Sequence, residues 1–192
     1  MDANFGGGGL TFMEKVKNIL LIIGIIVVIF IFTSIGFYNG FAHYYKKIEA
    51  SVSEIDSQQQ KRNNLIPDLI NTVRWYASDE KEIFESIAEA RNMYSCASSI
   101  TEKIKADQEI SFSLSRLKSV AENYPKLKSD KHFTDLIMQL GDIENNLSVA
   151  RGNYNDLAKE YNSKISKFPC NIFAKMYNIN KQPYYNVDKT DK

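Results

Sequence analysis

Proline, cysteine and a surplus of either charge are what this chain has least of. Four prolines are spread over 192 residues, and of nine glycines four stand together at positions 6 to 9. Long stretches of helix formers therefore run without a breaker, and the part outside any membrane is expected to be nearly all helix. Two cysteines, Cys96 and Cys170, are too few for a disulfide scaffold and lack metal-site spacing. Lys and Arg number 24 against 23 Asp and Glu, a net charge of +1, which removes the electrostatic case for nucleic acid. The two histidines, His43 and His132, have no carboxylate or cysteine at ligand spacing, so neither metal nor cofactor is expected. No serine, cysteine or lysine sits in a recognisable nucleophile setting, and the expectation is a protein that is not an enzyme. The glycine run in MDANFGGGGLTF has neither the preceding strand nor the following lysine of a phosphate-binding loop.

What the chain does have is the run ILLIIGIIVVIFIFTSIGF, Ile19 to Phe37, with no charge and with only Thr33 and Ser34 as hydroxyls, both able to bond back to their own helix. At ~1.5 Å per residue it reaches roughly 28 Å, about one hydrocarbon core. A buried helix of a soluble core would carry a polar face over such a length. The run exceeds a signal-peptide h-region, and the small residues after it, Gly40 and Ala42, make a weak cleavage site, so an uncleaved anchor is expected. Met13 opens MEKVKN, itself a normal basic lead into an anchor, so Met1 and Met13 are both candidate starts. Lys15 and Lys17 before the span balance Lys46 and Lys47 after it, which leaves the side of the membrane open. Tyr38, Phe41, Tyr44 and Tyr45 suit a headgroup interface.

Beyond this belt a helical seam begins. Ile48, Val52, Ile55, Gln59, Arg62, Ile66, Leu69, Val73 and Tyr76 alternate spacings of four and three, the coiled-coil rhythm. Pro67 lies inside it and is expected to kink or restart the helix. After a cap at Ser78-Asp79 a second seam runs through Ile83, Ile87, Ala90, Tyr94 and Ala97, then Ile110, Leu114, Leu117, Ala121 and Tyr124. It thins between Cys96 and Asp107, where a register shift or break could fall. Pro125 ends it, Ser129-Asp130 caps the next helix, and Phe133, Leu136, Leu140, Ile143, Leu147, Ala150, Tyr154, Leu157, Tyr161 and Phe168 form the third seam. The fold class is thus all-α: an N-terminal transmembrane helix, then an antiparallel up-and-down bundle of three long helices and one short one. The short one, Ile172 to Tyr177, is placed as a lid on the far end. With this topology Cys96 lies roughly 24 Å from the end that holds Cys170, beyond the ~7 Å a disulfide spans, so the pair is expected to stay reduced.

The bounds that follow are a flexible tail over 1–18, the anchor and its belt over 19–42, a helical bundle over 43–178 and a flexible tail over 179–192. One feature could carry function. Counted back from the far end, Arg62, Asp68, Glu89, Arg91, Arg151 and Asn155 fall within a few turns of one another around Pro67, a polar layer whose charges must pair if buried. It either fixes helix register or holds a ligand or partner.

Three stretches resemble the LemA family of bacterial membrane proteins: QQQKRNNLIPDLINTVRWYASDEKEIFESIAEAR (Gln58 to Arg91), RLKSVAENYPKLKSDKHF (Arg116 to Phe133) and IENNLSVARGNYNDLAKEYNSKISKFPCNIFA (Ile143 to Ala174). The resemblance implies one N-terminal anchor followed by an up-and-down bundle of the four-helix type, with no catalytic residues to carry over. It implies a bacterial single-pass membrane protein, with the domain usually taken to be cytoplasmic. Some members organise specialised membranes such as magnetosomes, and others resemble components of envelope-stress systems. Where the family often has two arginines before Leu-Ile-Pro, this chain has Lys61 and Arg62, then Asn63, which keeps the charge but not the second guanidinium. The functional expectation is a membrane-anchored scaffold that binds partner membrane or envelope proteins, or a second copy, to assemble or maintain a membrane complex. The alternative is a membrane-bound sensor or regulator responding to an anion or partner at the polar layer near Pro67.

Overall fold

A computed structural model describes residues 7–185, with side chains from Glu14 onward. Six helices follow in order: α1 Gly7–Tyr76, α2 Lys81–Cys96, α3 Ile100–Ala121, α4 Pro125–Lys128, α5 Lys131–Ser166 and α6 Cys170–Met176. They divide into two compact units. One holds the chain up to Tyr45 together with Ser163–Asn180; the other holds Lys46–Asn162 and the chain from Lys181.

The second unit is a four-helix bundle of the last part of α1, α2, α3 and most of α5. Cross-helix partners fix the directions. Asp56 and Arg74 of α1 meet Tyr94 and Phe84 of α2, so α2 runs back along α1. Ser86 and Glu82 of α2 meet Ser113 and Arg116 of α3, another reversal. Asp107 and Ser111 of α3 meet Arg151 and Glu144 of α5, a third. The topology is up-down-up-down.

Its core is the set of seam residues. Leu147, Tyr154, Ile55 and Val73 are each 0% exposed, so the seams face one another and not water. Ile66, Leu69, Ile83, Ile87, Ala90, Ile110, Leu117, Leu127, Phe133 and Leu136 join one continuous cluster. Two seam assignments fail. Tyr76 stands at the surface, and Phe168 is exposed past the end of α5, where Ile165 is buried instead.

The all-α reading holds, and the helix count is corrected. The second long helix expected from the pattern is two helices, because the chain leaves helix at Ala97 in an extended conformation and restarts with a capping box. Ser99 Oγ accepts the Glu102 N–H at 3.2 Å while Glu102 Oε2 accepts from the Ser99 and Ser98 N–H groups at 3.3 and 2.7 Å. A strong start signal at the point where the apolar stripe thins turns the chain back. The hydrogen bonds at Glu102 hold its carboxyl below the usual range, those from Ser98 above all. At α5, Asp130 Oδ1 caps the helix by accepting the Phe133 N–H at 2.9 Å. The expected Ser78-Asp79 cap of α2 is not used; the N-cap is Glu80, with no side-chain capping bond. Helix α1 continues through Pro67 without restarting, since Ile66, Leu69 and Val73 are buried on one face on either side of it.

The extra reversal also relocates the chain's end. Residues 163–180, α6 among them, group with the apolar run, so α6 is not a lid on the far end of the bundle. Phe173 of α6 stacks on Phe37 and Phe30 of α1, with ring centroids 4.6 and 5.5 Å apart. Tyr177 sets its ring edge against Tyr38 and shares a short hydrogen bond with Ser34. Thr33 bonds back to the Ile29 and Phe30 carbonyls, as a hydroxyl in an apolar helix must. From Ile19 to Ile35 the large side chains are about half exposed or more, from Phe30 at 47% to Phe32 at 71%, while Phe37 is half-buried and the backbone is helical throughout. This helix is long and apolar enough to cross a membrane.

Three expected boundaries move. Helix α1 begins at Gly7, so only positions 1–6 of the expected 1–18 tail lie outside the described residues. The segment 163–180 belongs with the apolar run and not with the bundle. Residues 181–185 of the expected 179–192 tail are docked, while 186–192 lie outside the described residues. Asn162 exchanges two bonds with the Gln182 backbone, both 2.8 Å, and Asn155 exchanges two with the Tyr185 backbone, 2.7 and 2.8 Å. The match is geometric. Two helical turns between Asn155 and Asn162 advance ~10 Å, and so do three extended residues. Each asparagine thereby satisfies a backbone donor and acceptor that an unpaired strand would leave open.

Candidate functional site

Arg62 is the largest fully buried side chain of the bundle, at 0% exposure. It sits on the α1 seam one turn from Gln59, also buried. A guanidinium withdrawn from water needs carboxylates, and two are supplied by other helices. Arg62 Nη2 lies 2.6 Å from Asp107 Oδ1 on α3, and Nη1 lies 3.0 Å from Glu144 Oε2 on α5 and 2.9 Å from Ser111 Oγ. Arg151 completes the group, donating to the same Asp107 oxygen at 2.8 Å and facing Glu144 at 3.5 Å. Gln59 Nε2 donates to Asp107 Oδ1 as well. Two arginines thus face two carboxylates, and one aspartate oxygen gathers donors from α1 and α5. Burial pulls the Arg151 guanidinium down, but Asp107 and Glu144 together lift it above its ordinary value.

A second bridge joins three helices nearby. Asp56 of α1 accepts from the Tyr94 hydroxyl of α2 at 2.7 Å and from Lys103 of α3 at 2.6 Å. Burial, then the bond to Asp56, pushes the Tyr94 phenol well up.

Of the six residues expected in the polar layer, Arg62 and Arg151 are in it. Asn155 instead straps residues 181–185. Arg91 is half-buried with its Nε sealed from water and unbonded. Asp68 and Glu89 are exposed. The partners that pattern reading missed are Asp107, Glu144, Ser111 and Gln59. Asp107 carried a signal, an acid on a seam between Ile104 and Ile110.

Asp68 has a different setting. It lines an open groove of about 460 Å³ with Asn71, Trp75 and Tyr76 of α1 and with Asp130 and His132 at the start of α5. Trp75, the single tryptophan of the chain, is 88% exposed. The Tyr76 hydroxyl donates to Asp130 Oδ2 at 2.9 Å. Bonds from the Phe133 N–H and then from Tyr76 hold the Asp130 carboxyl below its usual range, so it is ionised at neutral pH. The groove therefore presents two carboxylates beside two aromatic side chains. Cys96 and Cys170 are free thiols.

A bundle braced by a buried ion network and carrying a helix able to cross a membrane defines a membrane-associated helical protein. The chain belongs to the LemA family, whose profile matches residues 51–192. It is 25% identical to magnetosome protein MamQ 2 of Paramagnetospirillum magneticum over 193 residues, 86% of this chain and 71% of that protein. It is likewise 25% identical to magnetosome protein MamQ of Magnetospirillum gryphiswaldense over 197 residues, 89% and 72% of the two chains. Protein LemA of Metamycoplasma hominis is 25% identical over 173 residues, 88% and 78% of the two chains.

Proposed function

We propose that this protein is a single-pass scaffold of a bacterial membrane, whose bundle binds partner membrane or envelope proteins to assemble or maintain a complex. The observation that carries the reading is Trp75. A tryptophan left 88% exposed beside a groove costs apolar surface in water, and such residues dominate the energetics of interfaces. Asp68 and Asp130, which line the groove together with Trp75 and Tyr76, suit a cationic side chain of a partner. The likeness to proteins named for the magnetosome supports a role at a membrane assembly.

The alternative, a sensor that takes an anion at the buried arginines, has less support. Arg62 and Arg151 already face Asp107 and Glu144, so an anion would have to displace a carboxylate.

The test is a photo-crosslinker at position 75 of the full chain in its native host. The expected result is a discrete adduct with a basic partner, competed by unlabelled protein and lost in Asp68→Lys, which leaves thermal stability unchanged. A second copy in the adduct would make the scaffold self-associating. A chain that stays monomeric at all concentrations and captures nothing would refute the proposal, and stabilisation by a small anion in a thermal-shift screen would restore the alternative.

A further inference from the structure

We propose that α6 is a second membrane contact, an interfacial helix seated against the anchor with its apolar side in lipid and with Lys175, together with Lys164 and Lys167 just before the helix, toward anionic headgroups. The inference rests on the reading of residues 19–37 as a span. Phe173 touches both Phe37 and Phe30, and these two lie seven residues apart, ~10 Å along the helix. Phe37 ends the apolar run, so a ring in contact with both sits inside the hydrocarbon zone and not above it. Tyr177 reaches Ser34 and Tyr38, which lays α6 along the last turns of the run, with the Tyr177 ring beside Tyr38 of the aromatic belt and its hydroxyl satisfied by Ser34.

The other faces of α6 fit the same placement. At ~100° per residue, Ile172 and Met176 fall to one side of Phe173, while Asn171 and Lys175 fall opposite it. Ile172 and Met176 are each 50% exposed and Phe168 is 79% exposed. A water-facing segment has no reason to leave two large apolar residues of α6 and Phe168 just before it open, whereas one beside the anchor meets acyl chains there. The charge has one sign. Between Ser163 and Asn180 the charged residues are Lys164, Lys167 and Lys175, with no acid among them, the pattern that attracts anionic lipid. Lys164 already holds its ammonium 4.5 Å from the centre of the Tyr44 ring, in the aromatic belt.

The test uses the full chain with Trp75→Phe, which removes the only tryptophan, and adds Ile172→Trp, Met176→Trp or Lys175→Trp one at a time. Each is reconstituted in phosphatidylcholine vesicles containing a minority of phosphatidylglycerol, with and without acyl-brominated lipid. The expected result is quenching at 172 and 176 at least about twofold stronger than at 175, since only the former meet the acyl zone. A fluorophore on Cys170, the first residue of α6, in a Cys96→Ser background, which keeps every other residue of α6 as it is, should shift to the blue on reconstitution. Lys167→Glu with Lys175→Glu should weaken the quenching at 172 in anionic vesicles and not in neutral ones. Protein that floats with the vesicles after carbonate washing but shows equal quenching at 172 and 175 would overturn the α6 proposal and leave the span standing. Protein stripped by carbonate would overturn both.

Discussion

Asp107→Asn is the substitution that puts the bundle's buried charge layer under most strain. The change keeps the shape and removes the charge from an oxygen that accepts from Gln59, Arg62 and Arg151. Arg62 then stays at 0% side-chain exposure with Glu144 as its carboxylate partner, and Glu144 is 39% exposed, so water screens part of its field. Breaking a buried pair by removing one partner costs about 3–5 kcal/mol. A domain of this size loses about 3–6 °C of melting temperature per kcal/mol, so the expected shift is roughly 10–30 °C. Glu144→Gln, at the wetter end of the network, should cost only about 1–2 kcal/mol. The assay is thermal melting of the full chain in detergent, followed by circular dichroism, with Glu82→Gln in an exposed pair as the control, expected within about 0.5 kcal/mol of the parent. If Asp107→Asn melts within a few degrees of that control, the network is not a buried ion pair and the account of the bundle is wrong.

Asn155→Ala and Asn162→Ala each remove two bonds to the docked segment and should cost about 1–2 kcal/mol; hydrogen exchange at the Gln182 and Tyr185 amides should rise in both, and unchanged protection would contradict the docking. Ser99→Ala removes the capping box that starts α3 and should cost about 1 kcal/mol in the same melting assay, with Ser98→Ala smaller. Burial, helped by Tyr184, pushes the Tyr154 phenol up to about 12, so its contribution is whole below the ordinary tyrosine value of ~10 and is lost as pH rises through about 12; ultraviolet titration should show this phenol ionising after the exposed ones. Asp130 is shifted the other way, so its contribution is present above the ordinary aspartate value of ~3.9 and is lost as pH falls through and below it. Asp130→Asn should therefore lower the melting temperature at neutral pH and converge with the parent in strong acid.

Periodicity made most of the bundle legible. The α1 seam from Ile48 to Val73 and the α5 seam from Phe133 to Tyr161 carry their apolar residues at helical spacing, and burial follows that spacing. Gln59 and Arg62 stood out as polar residues on an apolar seam, and both are buried. The partners of Arg62 were not legible because their height along the bundle depended on a turn. With α2 and α3 read as one rod, Asp107 falls far from Arg62. With the reversal at 97–99, Arg62 lies 14 residues before Tyr76 and Asp107 lies 14 residues before Ala121, in two helices that run in parallel. The signal for that reversal was Ser99 with Glu102. It is a short-range cap, easily outweighed in a reading built on long-range rhythm. The same missed turn assigned α6 to the bundle and not to the apolar run. The docked segment after Lys181 had no periodicity to find, because its partners are backbone groups held by two asparagines.

The buried layer bears on why such a protein retains charge in its core. An apolar seam tolerates slippage, since a helix moved by one heptad meets similar side chains. An ion network does not. A shift of one turn, ~5.4 Å, would carry Arg62 out of reach of Asp107 and leave both charges buried and unpaired. Replacing all four ionic side chains by well-fitted apolar ones could match the native stability; what it would remove is the penalty on wrong registers. That penalty matters for a scaffold, because Asp68 and Trp75 on α1 and Asp130 and His132 by α5 make one groove only when those two helices are in register. Arg62, bonded to Glu144 on α5 and to Asp107 on α3, sets that register from inside the bundle.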